Sequence, residues 1–345
     1  MQKIIFFPLS NTGGSAYIID YFKSQNYRVL AGDANPMAIG RFISDNFFQL
    51  PYQREPNYFE IVKEIIKSEK VDVYVTMGEN ESLVVSRDRQ EYLDMGCIPT
   101  AANLKTMELG VDKCELFTFL QNELDIPLPV FHSVKDLDSF EEGLEKLKGK
   151  KICLKPAITS GSRGFVVIQD ESPDIQQLFS QRVSFPTVSK DYLRSNISNT
   201  KIPKMIMMEF LDGENFNASL VGKNGDLIFS SVHTREQVKD GLSTRGRIVY
   251  NKEIVEINRK IAKALNLTGF IVGQFIGNKL IEINPRWSTS IIFNSVNEYS
   301  MGVKVWTGEE IIIDPADVKV HNTLVYERYY ETIIHDENGK VFNNG

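Results

Sequence analysis

The chain of 345 residues is 42% apolar and 24% charged, the balance of a globular protein too long for one small core, so two or three subdomains are expected. Its net charge of −6 argues against general nucleic-acid binding, and no apolar run approaches the ~18 residues of a membrane span, so neither nucleic acid nor membrane is expected as a partner. Cys97, Cys114 and Cys153 are widely spaced with no Cys-x-x-Cys pair, which fits a reducing cytoplasm, and the scattered His132, His233, His321 and His335 make no zinc pattern.

Met1–Pro8 carries too short an apolar stretch for a signal peptide and reads as a first buried strand. After the turn Asn11–Ser15 come a helix over 16–24, a strand over 27–31 ending at Asp33, a helix over 56–69 and a strand over 71–76. This βαβαβ order predicts a parallel sheet covered by helices. The first turn offers only Gly13 and Gly14, without Gly-x-Gly-x-x-Gly, which argues against a dinucleotide site. Glu79 and Glu81 follow the third strand, where open α/β sheets bind ligands; they suit a substrate amine, or simply the first turn of a helix.

A second unit opens at Asp112-Lys113 with a helix over 113–124, ended by Pro127 and Pro129, and another helix follows over 139–147. The strand Lys151–Pro156 delivers Lys155 into the small-residue loop Thr159-Ser160-Gly161-Ser162-Arg163-Gly164, and 165–168 returns. A lysine before a loop of thinly covered amides suits phosphate, as it also suits a plain hairpin with a mobile tip. Residues 171–204 read as a short helix and a long polar connection. Met205–Leu211 is a strand that turns through 212–217, followed by strands over 218–222 and 228–232. Arg235, Arg245 and Arg247 then lie in glycine-containing loops, which suit an anion or plain solvation.

A helix over 251–265 and a strand over 269–276 carrying Gln274 lead to Ile281-Glu282-Ile283-Asn284-Pro285-Arg286. Positions i, i+2 and i+4 of a strand share a face, so Glu282, Asn284 and Arg286 are expected to point into one cleft, with Ile281 and Ile283 packed behind. Hard oxygen donors suit Mg²⁺, and arginine suits an anion. The same pattern suits an amphipathic edge strand ending at a proline turn. A helix over 291–305 and β-like segments over 311–313 and 323–334 close the chain.

Taken in order, Asp112-Lys113, Lys155 with its Gly-Ser loop, Glu209-Phe210-Leu211 with Glu214, Gln274, and Glu282-Ile283-Asn284-Pro285-Arg286 resemble the ATP-grasp superfamily, most closely its carbamoyl-phosphate-synthase large-subunit branch, over residues 3–308. The resemblance implies an α/β chain. A Rossmann-like pre-ATP-grasp domain (1–108) precedes an α+β ATP-grasp domain (109–312) with a mobile lid over 128–208, and a β-like tail (313–345) follows. It implies that Lys113 and Lys155 hold ATP phosphates under a loop of Ser160, Gly161, Ser162 and Gly164. Glu209, Phe210 and Leu211 would face adenine and Glu214 the ribose. Gln274, Glu282 and Asn284 would hold Mg²⁺, one ion or two, replaceable by Mn²⁺, and Arg286, Arg235 and Arg245 would act on the transferring phosphate. Gln274 stands where many relatives have an acid.

What the resemblance implies for function is a cytoplasmic ligase, with a homodimer among its possible states, that joins a small carboxylate to an amine or ammonia through an acyl phosphate. Phosphoryl transfer supplies the leaving group that a carboxylate lacks, and catalysis is then positioning and charge neutralisation, with no protein nucleophile. Only one ATP-grasp unit is present, with no glutaminase domain and no second synthetase half, so complete carbamoyl phosphate synthesis by this chain alone is not expected. A kinase-like or partner-dependent phosphorylation of a small molecule, and a non-catalytic nucleotide-binding module, are the alternatives.

Overall fold

The computed structural model describes residues 2–12, 14–159, 163–170, 186–239, 242–287, 297–309, 324–328, 333–336, 338 and 340–342. The expected parallel sheet forms from β1 (Ile4–Phe7), β2 (Arg28–Asp33), β3 (Asn46–Gln49), β4 (Val73–Tyr74) and β5 (Ile98–Pro99), in the order β3-β2-β1-β4-β5. Helices α1 (Ser15–Ser24), α2 (Gly40–Ile43), α3 (Tyr58–Glu69), α4 (Glu79–Arg87) and α5 (Arg89–Asp94) connect these strands. In α3 the helical repeat buries Tyr58, Val62, Ile65 and Ile66 against Phe6, Leu30 and Tyr74 on one side of the sheet. Ile18, Ile19 and Phe22 of α1 cover the other side with Ile5 and Phe7.

Helices α6 (Leu104–Val111) and α7 (Lys113–Glu123) lead to a second sheet of β6 (Phe131–Val134), β7 (Ile152–Pro156), β8 (Val166–Gln169), β9 (Thr187–Ser189) and β10 (Met205–Glu209), ordered β6-β10-β7-β8-β9. Helices α8 (Leu137–Lys146) and α9 (Lys190–Asn199) belong to this unit, with Phe140 and Ile197 in its core.

The third sheet contains β11 (Asn215–Lys223), β12 (Asp226–Phe229), β13 (Val232–Thr234), β14 (Gln237–Lys239), β15 (Leu242–Val249), β16 (Gly269–Ile276), β17 (Lys279–Asn284) and β18 (Val325–Glu327). Its main path is β14-β15-β13-β11-β16-β17, with β12 on β11 and β18 on β15. Helices α10 (Lys252–Ala264) and α11 (Glu298–Trp306) and a hairpin of β19 (Ile334–His335) and β20 (Val341–Phe342) complete the described elements. Phe216, Ile271, Phe275, Leu280 and Ile283 face α10 across one core. Phe270, Val272 and Trp287 share a second core with Phe7 and Val73 of the first sheet and Phe22 of α1. That shared core fixes the first sheet against the third, and the cleft between them inherits its shape.

Three expectations change. The arginine-bearing segment after Gly241 is a strand, β15, because its pairing with β13, β14 and β18 overrides its loop-like composition. Residues 215–217 belong to β11 and not to a turn. Register shifts between Gln274 and Phe275, so that Glu282 faces Gln274 while Leu280 faces Phe275, and Ile281 is the extra residue of a bulge. Leu280 and Ile283 therefore fill the core, and Ile281 is only half-buried. Gly13, Ser160, Gly161, Ser162, residues 171–185 of the connection expected over 171–204, the start of the helix expected at 291 and the segment 311–313 lie outside the described residues.

Candidate active site

Two lysines from different elements converge on one carboxylate. Asp112 caps α7, its Oδ1 accepting from the backbone amides of Cys114 and Glu115 at 2.9 and 3.2 Å. The amide of Lys113 donates to the carbonyl of Ala157 at 3.1 Å, which pins the start of α7 to the end of β7. Lys113 is thus held 3% exposed, its Nζ donating to the Thr159 carbonyl at 2.6 Å and lying 3.9 Å from Glu282 Oε1. Lys155, near the end of β7, places its Nζ 3.3 Å from Glu282 Oε2 and 3.5 Å from the carbonyl of Ile281. The bulge puts that carbonyl within the lysine's reach. Burial pushes the Lys113 ammonium below the ordinary lysine range, and Glu282 opposes that push.

Glu282 ends a polar row that crosses the third sheet. Glu282 faces Gln274, Gln274 faces Asn217, and Asn217 faces His233. Residues directly opposite in a ladder share a face, so the four side chains are neighbours. Gln274 Nε2 donates to Asn215 Oδ1 at 3.2 Å, which leaves the Gln274 amide oxygen as its acceptor. Asn284 faces Val272 one step along. A carboxylate and two amide oxygens are hard donors, and Mg²⁺ fits them. Among the described residues no three His, Cys, Asp or Glu side chains gather as metal ligands, so this set has a single formal charge. His233 is buried, and loss of hydration beside Arg235 and Arg328 pulls its imidazole down to about 3, so it is neutral at physiological pH.

Arg286 lies across the cleft from the first sheet, its Nε 3.5 Å from Glu79 Oε1 and its Nη1 donating to the Trp287 carbonyl at 3.4 Å. Pro285 before it packs on Gly110, where a Cβ would stand 2.8 Å from the ring; glycine is what lets α6 approach. Trp287 after it is 1% exposed, with ring centroids 6.2 Å from Phe22, 5.8 Å from Phe270 and 4.9 Å from Tyr299. Of the two acids after β4, only Glu79 reaches this cleft. Glu81 turns inward, fully buried, and accepts from the hydroxyls of Tyr58 and Tyr74 at 2.8 and 2.6 Å.

At the opposite end, Glu209 accepts from Lys150 at 2.8 Å and Lys279 at 3.1 Å, and Lys150 foremost among its partners holds its carboxyl down at about 2. The amide of Phe210 donates to the Lys151 carbonyl at 2.7 Å, and the Lys151 ammonium lies 4.0 Å from the Phe210 ring centre. Leu211 follows in the exit from β10. Glu214 is exposed, its carbonyl accepting from the Gly277 amide at 2.8 Å. Gly164 sits at φ 71°, in the left-handed region, shortly before β8. The amide of Arg235 donates to the Asn215 carbonyl at 2.8 Å beside the polar row. Arg245 is drawn instead to Glu327 at 3.1 Å and Glu236 at 3.6 Å, and Arg247 to Glu236 at 3.0 Å.

The structure therefore brings together Lys113, Lys155, Glu282 and Gln274, with Asn284 and Arg286 adjoining, and places Glu209, Phe210, Leu211 and Glu214 apart from them. Sequence reading does not single out Asn217, His233 or Trp287. The polar alternation Asn215-Phe216-Asn217 is a strand signal that could have found the first.

The ATP-grasp domain profile matches residues 111–290, more than half the chain, and the profile of the PylC-like N-terminal domain matches residues 9–100. The chain belongs to the ATP-grasp family. It is 26% identical over 247 residues to a carbamoyl phosphate synthase large chain of Methanobrevibacter smithii, a match that covers 68% of this chain and 22% of that much longer one. Its fold is similar to that of biotin carboxylase from Campylobacter jejuni, with a TM-score of 0.66 at 14% identity over 93% of this chain and 74% of that one. It is similar too to N5-carboxyaminoimidazole synthetase from Staphylococcus aureus, solved with ADP, with a TM-score of 0.64 at 16% identity over 90% of this chain and 79% of that one. The architecture expected of the sequence, an N-terminal α/β domain and then an ATP-grasp fold, is the one found. No helix among the described residues is long and apolar enough to cross a membrane.

Proposed function

We propose that this chain is an ATP-dependent carboxylate–amine ligase of the cytoplasm. A carboxylate oxygen attacks the γ-phosphorus of ATP, ADP leaves, and an amine or ammonia displaces phosphate from the acyl phosphate. The observation that carries the reading is the convergence of Lys113 and Lys155 on Glu282. Two ammonium groups held in a buried wall suit the β- and γ-phosphates, and the carboxylate between them gives those charges a partner until nucleotide arrives. Gln274, Glu282 and Asn284 would hold Mg²⁺, as one ion or two with Mn²⁺ able to substitute, and the ion supplies charge neutralisation at the terminal phosphates.

On this reading Glu209, Phe210 and Leu211 line the adenine end and Glu214 meets the ribose. Ser160, Gly161, Ser162 and Gly164 close over the phosphates as part of a lid spanning 128–208. Arg286 and Arg235 steady the transferring phosphoryl group. Arg245 joins them once freed from Glu327 and Glu236. Glu79, across from Arg286, stands where a second substrate enters. A homodimer is among the assemblies open to this chain.

Calorimetry tests the nucleotide assignment. Mg²⁺-ATP is expected to bind with a dissociation constant on the order of 1 μM to 1 mM. Lys155→Ala is expected to weaken it by about 10- to 100-fold, the range for a lost charge-assisted contact. NADH is expected not to bind. Tight NADH binding without ATP binding would overturn the proposal.

A further inference from the structure

We infer that Tyr326, on a strand outside both profile-matched segments, is a positioning residue that fixes Arg235 beside the polar row of Gln274 and Glu282. The inference rests on the ligase reading above, in which Arg235 addresses the terminal phosphate.

β18 pairs antiparallel with β15 and sets Tyr326 opposite Gly246. Glycine is required there. A Cβ at 246 would stand 2.0 Å from the Thr234 carbonyl oxygen and 2.6 Å from the Tyr326 hydroxyl. Across that gap the hydroxyl donates to the Thr234 carbonyl at 2.8 Å. A phenol has one proton, so the 2.6 Å hydrogen bond with Ser243 Oγ has serine as donor. Burial, the leading cause, raises the Tyr326 phenol above its ordinary range, and it therefore keeps its proton at neutral pH. Arg328 locks the register of β18, its amide donating to the Thr244 carbonyl at 2.8 Å and its Nε to the Ser243 carbonyl at 3.1 Å.

The peptide unit between Thr234 and Arg235 is clamped at both ends. Tyr326 holds its oxygen, and its N–H donates to the Asn215 carbonyl at 2.8 Å. Asn215 is the residue whose side chain accepts from Gln274. The Tyr326 ring meets His233 edge-on, with centroids 5.7 Å apart at 83°. One tyrosine thus ties the plane that launches the Arg235 side chain to the sheet that carries the polar row. Nothing in the composition of Leu324-Val325-Tyr326-Glu327 signals this, since the contact spans about ninety residues.

Tyr326→Phe removes the hydroxyl and keeps the ring, and Tyr326→Leu removes both. Calorimetry with Mg²⁺-ADP and with a non-hydrolysable Mg²⁺-ATP analogue separates positioning from general support, because only the analogue presents a γ-phosphate. The phenylalanine variant is expected to stay folded, with its melting temperature lowered by about 5 °C or less, and to bind ADP within about twofold of wild type, yet to bind the ATP analogue about tenfold more weakly, the scale of one lost orienting hydrogen bond. The leucine variant is expected to lose more of the analogue's affinity. Equal changes for the two nucleotides, or wild-type affinity for both in both variants, would overturn the inference while leaving the ligase reading intact. A wild-type protein that binds neither nucleotide would overturn both.

Discussion

Glu282→Gln is expected to lower ATP turnover by about 10²- to 10³-fold, the scale for removing one charge-organising group from a catalytic centre, while the protein stays folded. The substitution keeps the size of the side chain and removes its charge. Two effects then add. The hard donor set loses its one carboxylate. The ammonium groups of Lys113 and Lys155, which lie 3.9 and 3.3 Å from the two carboxylate oxygens, are left facing each other. Burial already depresses Lys113 and Lys155 acts in the same direction, so removing the opposing carboxylate favours its neutral form further. Phosphate binding is therefore expected to weaken at a lower pH than in the wild type as pH rises. ADP release under saturating Mg²⁺-ATP, across a panel of carboxylates and amines, is the measurement. Near-normal turnover would mean that the site is misplaced.

Trp287→Ala is expected to destabilise the protein by about 3–5 kcal/mol, the usual consequence of emptying a buried indole site. Trp287 is more than a core residue, because its ring contacts Phe22 of α1, Phe270 of β16 and Tyr299 of α11. It joins the first sheet to the third one residue beyond Arg286, so the cavity would release both the interface and the arginine. Trp287→Phe, which keeps an aromatic ring, is expected to recover much of the loss. Denaturant unfolding checks this, and a loss of under about 0.5 kcal/mol, the range of ordinary surface changes, would contradict it.

The parts of this molecule that sequence shows well are those with a strong local period. α3 buries every third or fourth residue, and β1 and β2 are apolar runs of a sheet covered on both faces. β3 is harder, because Asn46-Phe47-Phe48-Gln49 is a short edge strand with polar, exposed ends. β15 is disguised by Arg245, Gly246 and Arg247, residues that suit a loop until β13, β14 and β18 supply partners. The bulge at Ile281 breaks the period of two on which the expected facing of Ile281 depended. Site residues are legible as chemistry at chain positions, and the resemblance orders them. Their meeting is a tertiary fact: Lys113 and Glu282 lie 169 positions apart, the difference of their numbers, and touch because α7 is pinned to the end of β7. Glu79 and Glu81 show the same limit. Two positions separate them, yet one faces the cleft and the other is sealed under Tyr58 and Tyr74.

The central claim is that a carboxylate is activated by the γ-phosphoryl group of ATP. One oxygen of that carboxylate must then leave with phosphate when the amine attacks. With an acid labelled with ¹⁸O in its carboxylate, turnover is expected to place the label in inorganic phosphate and to yield ADP as the nucleotide product. Label in AMP with release of pyrophosphate, or ADP formation with no labelled phosphate, would contradict it.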